Sequence, residues 1–389
     1  MNGIALNKTD LAAWRSLITR PSATRLLAAA AIYLISSLTL PFAASETVSL
    51  LFVAVCALFF YMQTRTLASL IAPAIPAMLL FSASGSMMLP AVFFAIVFGG
   101  ACGAMLLLSA KAPSDTVLVL LPVGAYLGAL LLGATPLAAL LTLLPLPVAL
   151  VAMLGVRRCI PFTPMVVALT AAICVGFLTA TGAALASLDL LDASLLPGFL
   201  ASLGDELIAT LEEAKALYAE TGITIEISET AIRNLLAELI NLSPAIFIIV
   251  CMVTAYFTWR TLAVLLVSFG ALPRLPRVLV TPTMSVIAAI LFLAAHLAAL
   301  IANAKTATPF GAVAQNLALI LEPGLALVGL GQLLRRNAPR SCFSILALIT
   351  LVYLVWVNPA TALAVAALYG AIHVLITSYQ YAKNSKGEQ

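Results

Sequence analysis

One carboxylate lies deep in an otherwise uncharged apolar run: Glu322, far along the stretch that follows Lys305. A charge at the centre of a membrane helix costs about 2.5–3.5 kcal/mol on insertion scales, so protonation, a partner or a wet cavity must offset it. Pro323 and Gly324 follow directly, which predicts a helix kinked or opened at that point. Gln315, Glu322 and Gly329 recur at intervals of seven and share a helical face, with Asn316 at its border. A polar stripe beside a broken helix is how many transporters build a midplane site. The competing reading is a structural carboxylate hydrogen-bonded between helices. His296, in the preceding apolar run, can relay a proton or pair with a polar group on a neighbouring helix. Glu322, Gln315, Asn316 and His296 are therefore the candidate substrate-binding or proton-linked residues. His296 and Asn316 are the expected neighbours of Glu322, because no Lys or Arg lies deep in an expected span.

Other chemistry finds little footing. The chain has no nucleotide-binding glycine loop, no G-x-S-x-G and no H-E-x-x-H. Two histidines cannot make a His-rich metal site, and the six cysteines are scattered without a C-x-x-C pair. Glu212-Glu213 has the look of the paired glutamates of CAAX-type intramembrane proteases. That motif needs an Arg four positions on, where this chain has Leu217. No nucleophile–base pair can be assembled, so an enzyme is disfavoured. No catalytic residue, metal or cofactor is expected.

The elements that must hold these residues follow from composition. Of 389 residues 63% are apolar and only 9% are charged, against about 25% charged in a soluble domain. This excludes a soluble enzyme, a disordered chain and a nucleic-acid binder. An all-α polytopic membrane bundle remains, with the lipid bilayer as its first partner. Uncharged runs predict about twelve spans (ten to twelve): 26–42, 47–63, 66–82, 90–109, 116–133, 136–155, 163–187, 242–259, 278–302, 308–332, 341–357 and 360–380. Gly85, Gly133 to Pro136, and Asn358-Pro359 divide the longest runs, Pro73 and Pro76 interrupt the third span, and Pro145 and Pro147 are expected to kink the sixth. Gly99-x-x-x-Gly103 and Gly124-x-x-x-Gly128 are spaced for close helix packing.

With the N-terminus inside, sixteen Lys/Arg fall on the cytoplasmic side, and only Lys215, Arg233 and Lys305 fall outside. Both termini are then cytoplasmic. Residues 1–25 form a basic leader in which Leu11, Trp14 and Ile18 share a face, with Arg15 off it; a short interfacial helix and a disordered tail are both open. Cleavage of the first run as a signal peptide at Ala43-Ala44-Ser45 is the minor alternative. Residues 26–187 make an N-terminal bundle of about seven spans, and 242–389 a C-terminal bundle of about five.

Between them, residues 188–241 carry ten acids against two bases. Leu200, Leu203, Leu207, Leu211, Ala214 and Tyr218 recur at helical spacing, and Ser228 is placed to cap a second helix. The reading is an acidic, extracytoplasmic amphipathic hairpin on or above the outer surface. It could be a simple connector, a lid over a cavity or a docking site for an extracytoplasmic partner.

The order of features over roughly 195–335 resembles the YybS-like family of bacterial membrane proteins. The acidic hairpin leads into Leu242-Ser243-Pro244, a turn Leu272-Pro273-Arg274-Leu275-Pro276-Arg277 follows, and a later span opens Gln315-Asn316-Leu317 and closes Gly329-Leu330-Gly331. That family's membrane core has been likened to the substrate-binding components of energy-coupling-factor vitamin transporters. The resemblance implies a bacterial inner-membrane protein that binds or transports a solute. It marks Asn316 and Gly329 as packing or site residues; the Glu-Pro-Gly of this chain departs from it. The expected function is binding or transport of a small amphipathic or apolar solute through an intramembrane cavity near Glu322. The alternative is a membrane scaffold or assembly factor whose outer hairpin engages a protein partner.

Overall fold

A computed structural model describes residues 13–110, 117–187, 205, 208–210, 212–213, 229–276, 279, 281–303, 309–335 and 358–387. Among these every regular element is a helix. In order they are α1 (Ala23–Thr39, prolonged by a 3-10 turn to Phe42), α2 (Glu46–Thr64), α3 (Leu67–Ser84), α4 (Met88–Ser109), α5 (Val117–Leu131), α6 (Pro136–Leu140), α7 (Pro145–Arg158), α8 (Phe162–Ser187), α9 (Glu229–Ser268), α10 (Val286–Asn303), α11 (Pro309–Arg335) and α12 (Pro359–Gly387). Eight described helical stretches are long and apolar enough to cross a membrane, and Leu70–Ser82, Leu120–Leu131 and Val286–Ala302 are shorter apolar helices. The chain is an integral membrane protein by this composition. The expected span 341–357 and most of the hairpin lie outside the described residues.

The breaks follow local chemistry. Gly85 ends α3 at φ +64°, in the left-handed region where a Cβ is penalised. The Asn358 side chain accepts from the Thr361 N–H at 3.2 Å, capping α12 as Pro359 begins it. Leu141–Leu143 form a 3-10 turn, after which Pro145 starts α7, and α7 is helical through Pro147.

Three expectations change. The ninth span begins at Val286, not 278, because Pro273, Pro276 and Pro282 remove donors and bias their predecessors away from helix. Pro73 and Pro76 do not interrupt α3, which is helical throughout. The second limb of the hairpin is not a separate surface helix: it runs on into the eighth span as the 40-residue α9. What remains of the first limb, Asp205 to Glu213, is helical where described, and Asp205 meets Arg233 of α9 at 3.1 Å. That pair is exposed, so it orients more than it stabilises.

The helices form two compact units, Met1–Ala180 with Val250–Met284, and Thr181–Ile249 with Ser285–Gln389. The units interleave along the chain, whereas the sequence divides it linearly at 188 and 242. The division passes through α9.

In the first unit α4 is the hub and is buried almost all round, as its uniformly apolar surface requires. Its glycines allow the approach. A Cβ on Gly99 would stand 3.0 Å from Pro145, one on Gly103 2.8 Å from Ala149, and one on Gly100 2.8 Å from Val148. Phe59, Phe60 and Phe94 pack edge-on or tilted around Phe98. The Gly124–Gly128 pair does not behave in this way. A Cβ on Gly124 would meet nothing within 4 Å, and one on Gly128 only ordinary contact with Leu38. Correct spacing does not create a facing partner.

In the second unit α11 packs most extensively on α12 and next on α10. Without a hydrophobic drive between helices in lipid, such contacts rest on close packing and interhelical hydrogen bonds.

Candidate functional site

Glu322 is 7% exposed, and α11 stays helical through Pro323 and Gly324. The opened helix expected there is absent. Proline is accommodated within membrane helices where neighbouring groups satisfy the freed carbonyl. Glu322 thus sits on an intact helix, and His296 of α10 lies within electrostatic reach. The imidazole is held from below. Its Nδ1 is 3.3 Å from the Phe292 carbonyl, and its ring lies 4.4 Å from the buried Phe292 ring. A carbonyl only accepts, so Nδ1 carries the proton, leaving Nε2 as acceptor in the neutral ring or donor in the cation.

Asn316 does not join this pair. Its Nδ2 donates to the Asn241 carbonyl at 2.8 Å and to the Ala312 carbonyl at 2.8 Å, and its Oδ1 accepts from the Ala245 N–H at 3.0 Å. Asn241 and Ala245 are the carbonyl and amide that a regular helix pairs with each other across one turn. Pro244 disturbs α9 at this turn, since it lacks an N–H for the Ile240 carbonyl. The Ser243 Oγ donates to that carbonyl at 2.8 Å. One serine and one asparagine therefore carry α9 across its proline. Gln315 is half-buried on the same helix.

Gly329 meets neither polar group. It faces Gly370 of α12, where a Cβ would stand 3.0 Å from the Gly370 nitrogen and nearer still to the Ala366 carbonyl. The face of α11 that reads as one polar stripe in sequence is thus divided among three neighbours: Asn316 to α9, Glu322 to α10, Gly329 to α12.

Sequence reasoning missed Gly370 and Ser243. Ala362, Ala366 and Gly370 recur at intervals of four, a readable small-residue signal. Nothing in the sequence pairs Ser243 with Ile240 beyond its place before Pro244. Cys174 and Cys251 also meet, thiol to thiol, within the first unit. Among the described residues no group of three His, Cys, Asp or Glu could hold a metal. Among the described residues a cavity lies in the first unit, away from Glu322. No known protein family matches the chain, and no characterised relative or solved structure is similar to it.

Proposed function

We propose that this integral membrane protein binds and transports a small amphipathic or apolar solute, and that Glu322 and His296 link that movement to a proton. The supporting observation is the buried carboxylate with an imidazole on the adjacent helix. An isolated carboxylate would be too costly in hydrocarbon, whereas a carboxyl–imidazole pair holds one proton in either form. With Nδ1 committed to Phe292, Nε2 is the nitrogen that exchanges. An intact α11 means that access depends on movement of helices rather than on a permanently open break. The solute path of such a protein opens in one state and closes in another.

The frame for this reading has about twelve spans, both termini cytoplasmic, in a bacterial inner membrane, as charge sidedness indicates. The YybS-like resemblance belongs to the same proposal. Asn316 of Gln315-Asn316-Leu317 bonds Asn241 and Ala245, the residues that flank Leu242-Ser243-Pro244, which suits a shared structural core. In this reading Asn316 and Gly329 are packing residues.

Infrared difference spectroscopy on the reconstituted chain tests the proton link. The carboxyl band removed by Glu322→Gln should shift when H2O is replaced by D2O, showing exchange with water. Glu322→Gln should keep fold and expression, because the amide is isosteric and cheaper to bury. A carboxyl band that never exchanges would make the pair structural, and the scaffold reading would take its place. In that case Glu322→Gln is silent while Glu322→Ala lowers thermal stability.

A further inference from the structure

A cavity of about 380 Å³ in the first unit is lined by Arg15, Ile18, Leu108, Leu154, Arg157 and Arg158. Three arginines and three aliphatic residues line one space, within the roughly 300–1,000 Å³ of small-molecule sites. Its walls are fastened. The Trp14 indole N–H donates to the Val156 carbonyl at 2.7 Å, and the Arg15 Nε to the Arg157 carbonyl at 3.3 Å. These bonds pin the leader across the C-terminus of α7, whose last carbonyls need donors. The Arg157 Nη2 donates to the Leu107 carbonyl at 3.1 Å, tying the end of α7 to the end of α4. Every one of these acceptors is a carbonyl. Among the described residues no acidic side chain lines the cavity and none of its arginines has a carboxylate partner. Three positive charges thus gather where two apolar helices end, beside the half-exposed Leu17 and Leu154.

We propose that this cavity holds a phosphate group, carried there as the head group of an anionic phospholipid. Guanidinium forks match phosphate oxygens in bidentate geometry. The aliphatic wall suits the first methylenes of an acyl chain, which a free phosphate would leave unused. Helix ends with clustered arginines are also the level at which head groups lie. This site is independent of Glu322, and its binding needs no transport.

The test uses the full chain in phosphatidylcholine nanodiscs, with and without phosphatidylglycerol, read by native mass spectrometry and thermal unfolding. Phosphatidylglycerol should remain bound and raise the unfolding midpoint. Arg158→Gln, which removes no hydrogen bond among the described residues, should weaken retention about fivefold, the worth of one basic residue near an anionic surface. Arg15→Gln should do the same and also loosen the leader. Arg274→Gln, outside the cavity, should leave retention unchanged. Equal losses for Arg158→Gln and Arg274→Gln would reduce the effect to diffuse surface charge and overturn the site. The same protection from millimolar inorganic phosphate in pure phosphatidylcholine discs would overturn the lipid as its source.

Discussion

Gly329 and Gly370 cross backbone to backbone: a Cβ on Gly370 would stand 2.9 Å from the Gly329 nitrogen and closer to the Leu325 carbonyl. Backbone contact at that spacing leaves no flexible atom to yield. Gly329→Ala and Gly370→Ala should each destabilise the chain by about 1–3 kcal/mol through overpacking. The double variant should cost less than the sum, since both side chains press on one crossing. Gly124→Ala, whose added methyl meets nothing, should be neutral or stabilising by up to about 1 kcal/mol through helix propensity. Unfolding in mixed micelles measures all four variants, and a Gly124→Ala cost equal to that of Gly329→Ala would refute the crossing.

Asn316 repairs α9 beside Pro244. Asn316→Ala removes three hydrogen bonds and should cost about 1–2 kcal/mol, near the upper range for interhelical bonds in membranes. Amide exchange at Ala245 should quicken with it. Unchanged protection at Ala245 would mean that the helix does not depend on the bridge.

Glu322 and His296 should be energetically coupled. A cycle of Glu322→Gln, His296→Gln and the double variant should give a coupling of about 0.5–3 kcal/mol, as for groups coupled through charge. Additive effects would show that the two residues act separately.

Topology is open to direct measurement. Reporter fusions at Arg158, Asn337 and Lys386 should read cytoplasmic, and a fusion at Glu226 extracytoplasmic. A cytoplasmic signal at Glu226 would overturn the expected span count.

Local structure was readable from residue types alone. Hydrocarbon offers the backbone no hydrogen bonds, so an uncharged apolar run must be helical. Gly85, Pro145 and Asn358-Pro359 mark breaks because their own backbones dictate them. The burial of Glu322 beside His296 was also legible, since a lone carboxylate in a span needs a partner. Tertiary structure decided the rest. Pro244 reads as a helix boundary, yet α9 passes through it because Ser243 and a distant Asn316 supply what the proline withholds. Gly124 and Gly329 are both glycines on apolar helices, and only the facing helix makes one a contact and the other an open surface. The leader's role depended likewise on its destination, where Trp14 adds a second donor to the Val156 carbonyl at the end of α7, beside the Cys159 N–H. Spacing along a helix shows which residues share a face, but what that face meets is set by the neighbouring helices.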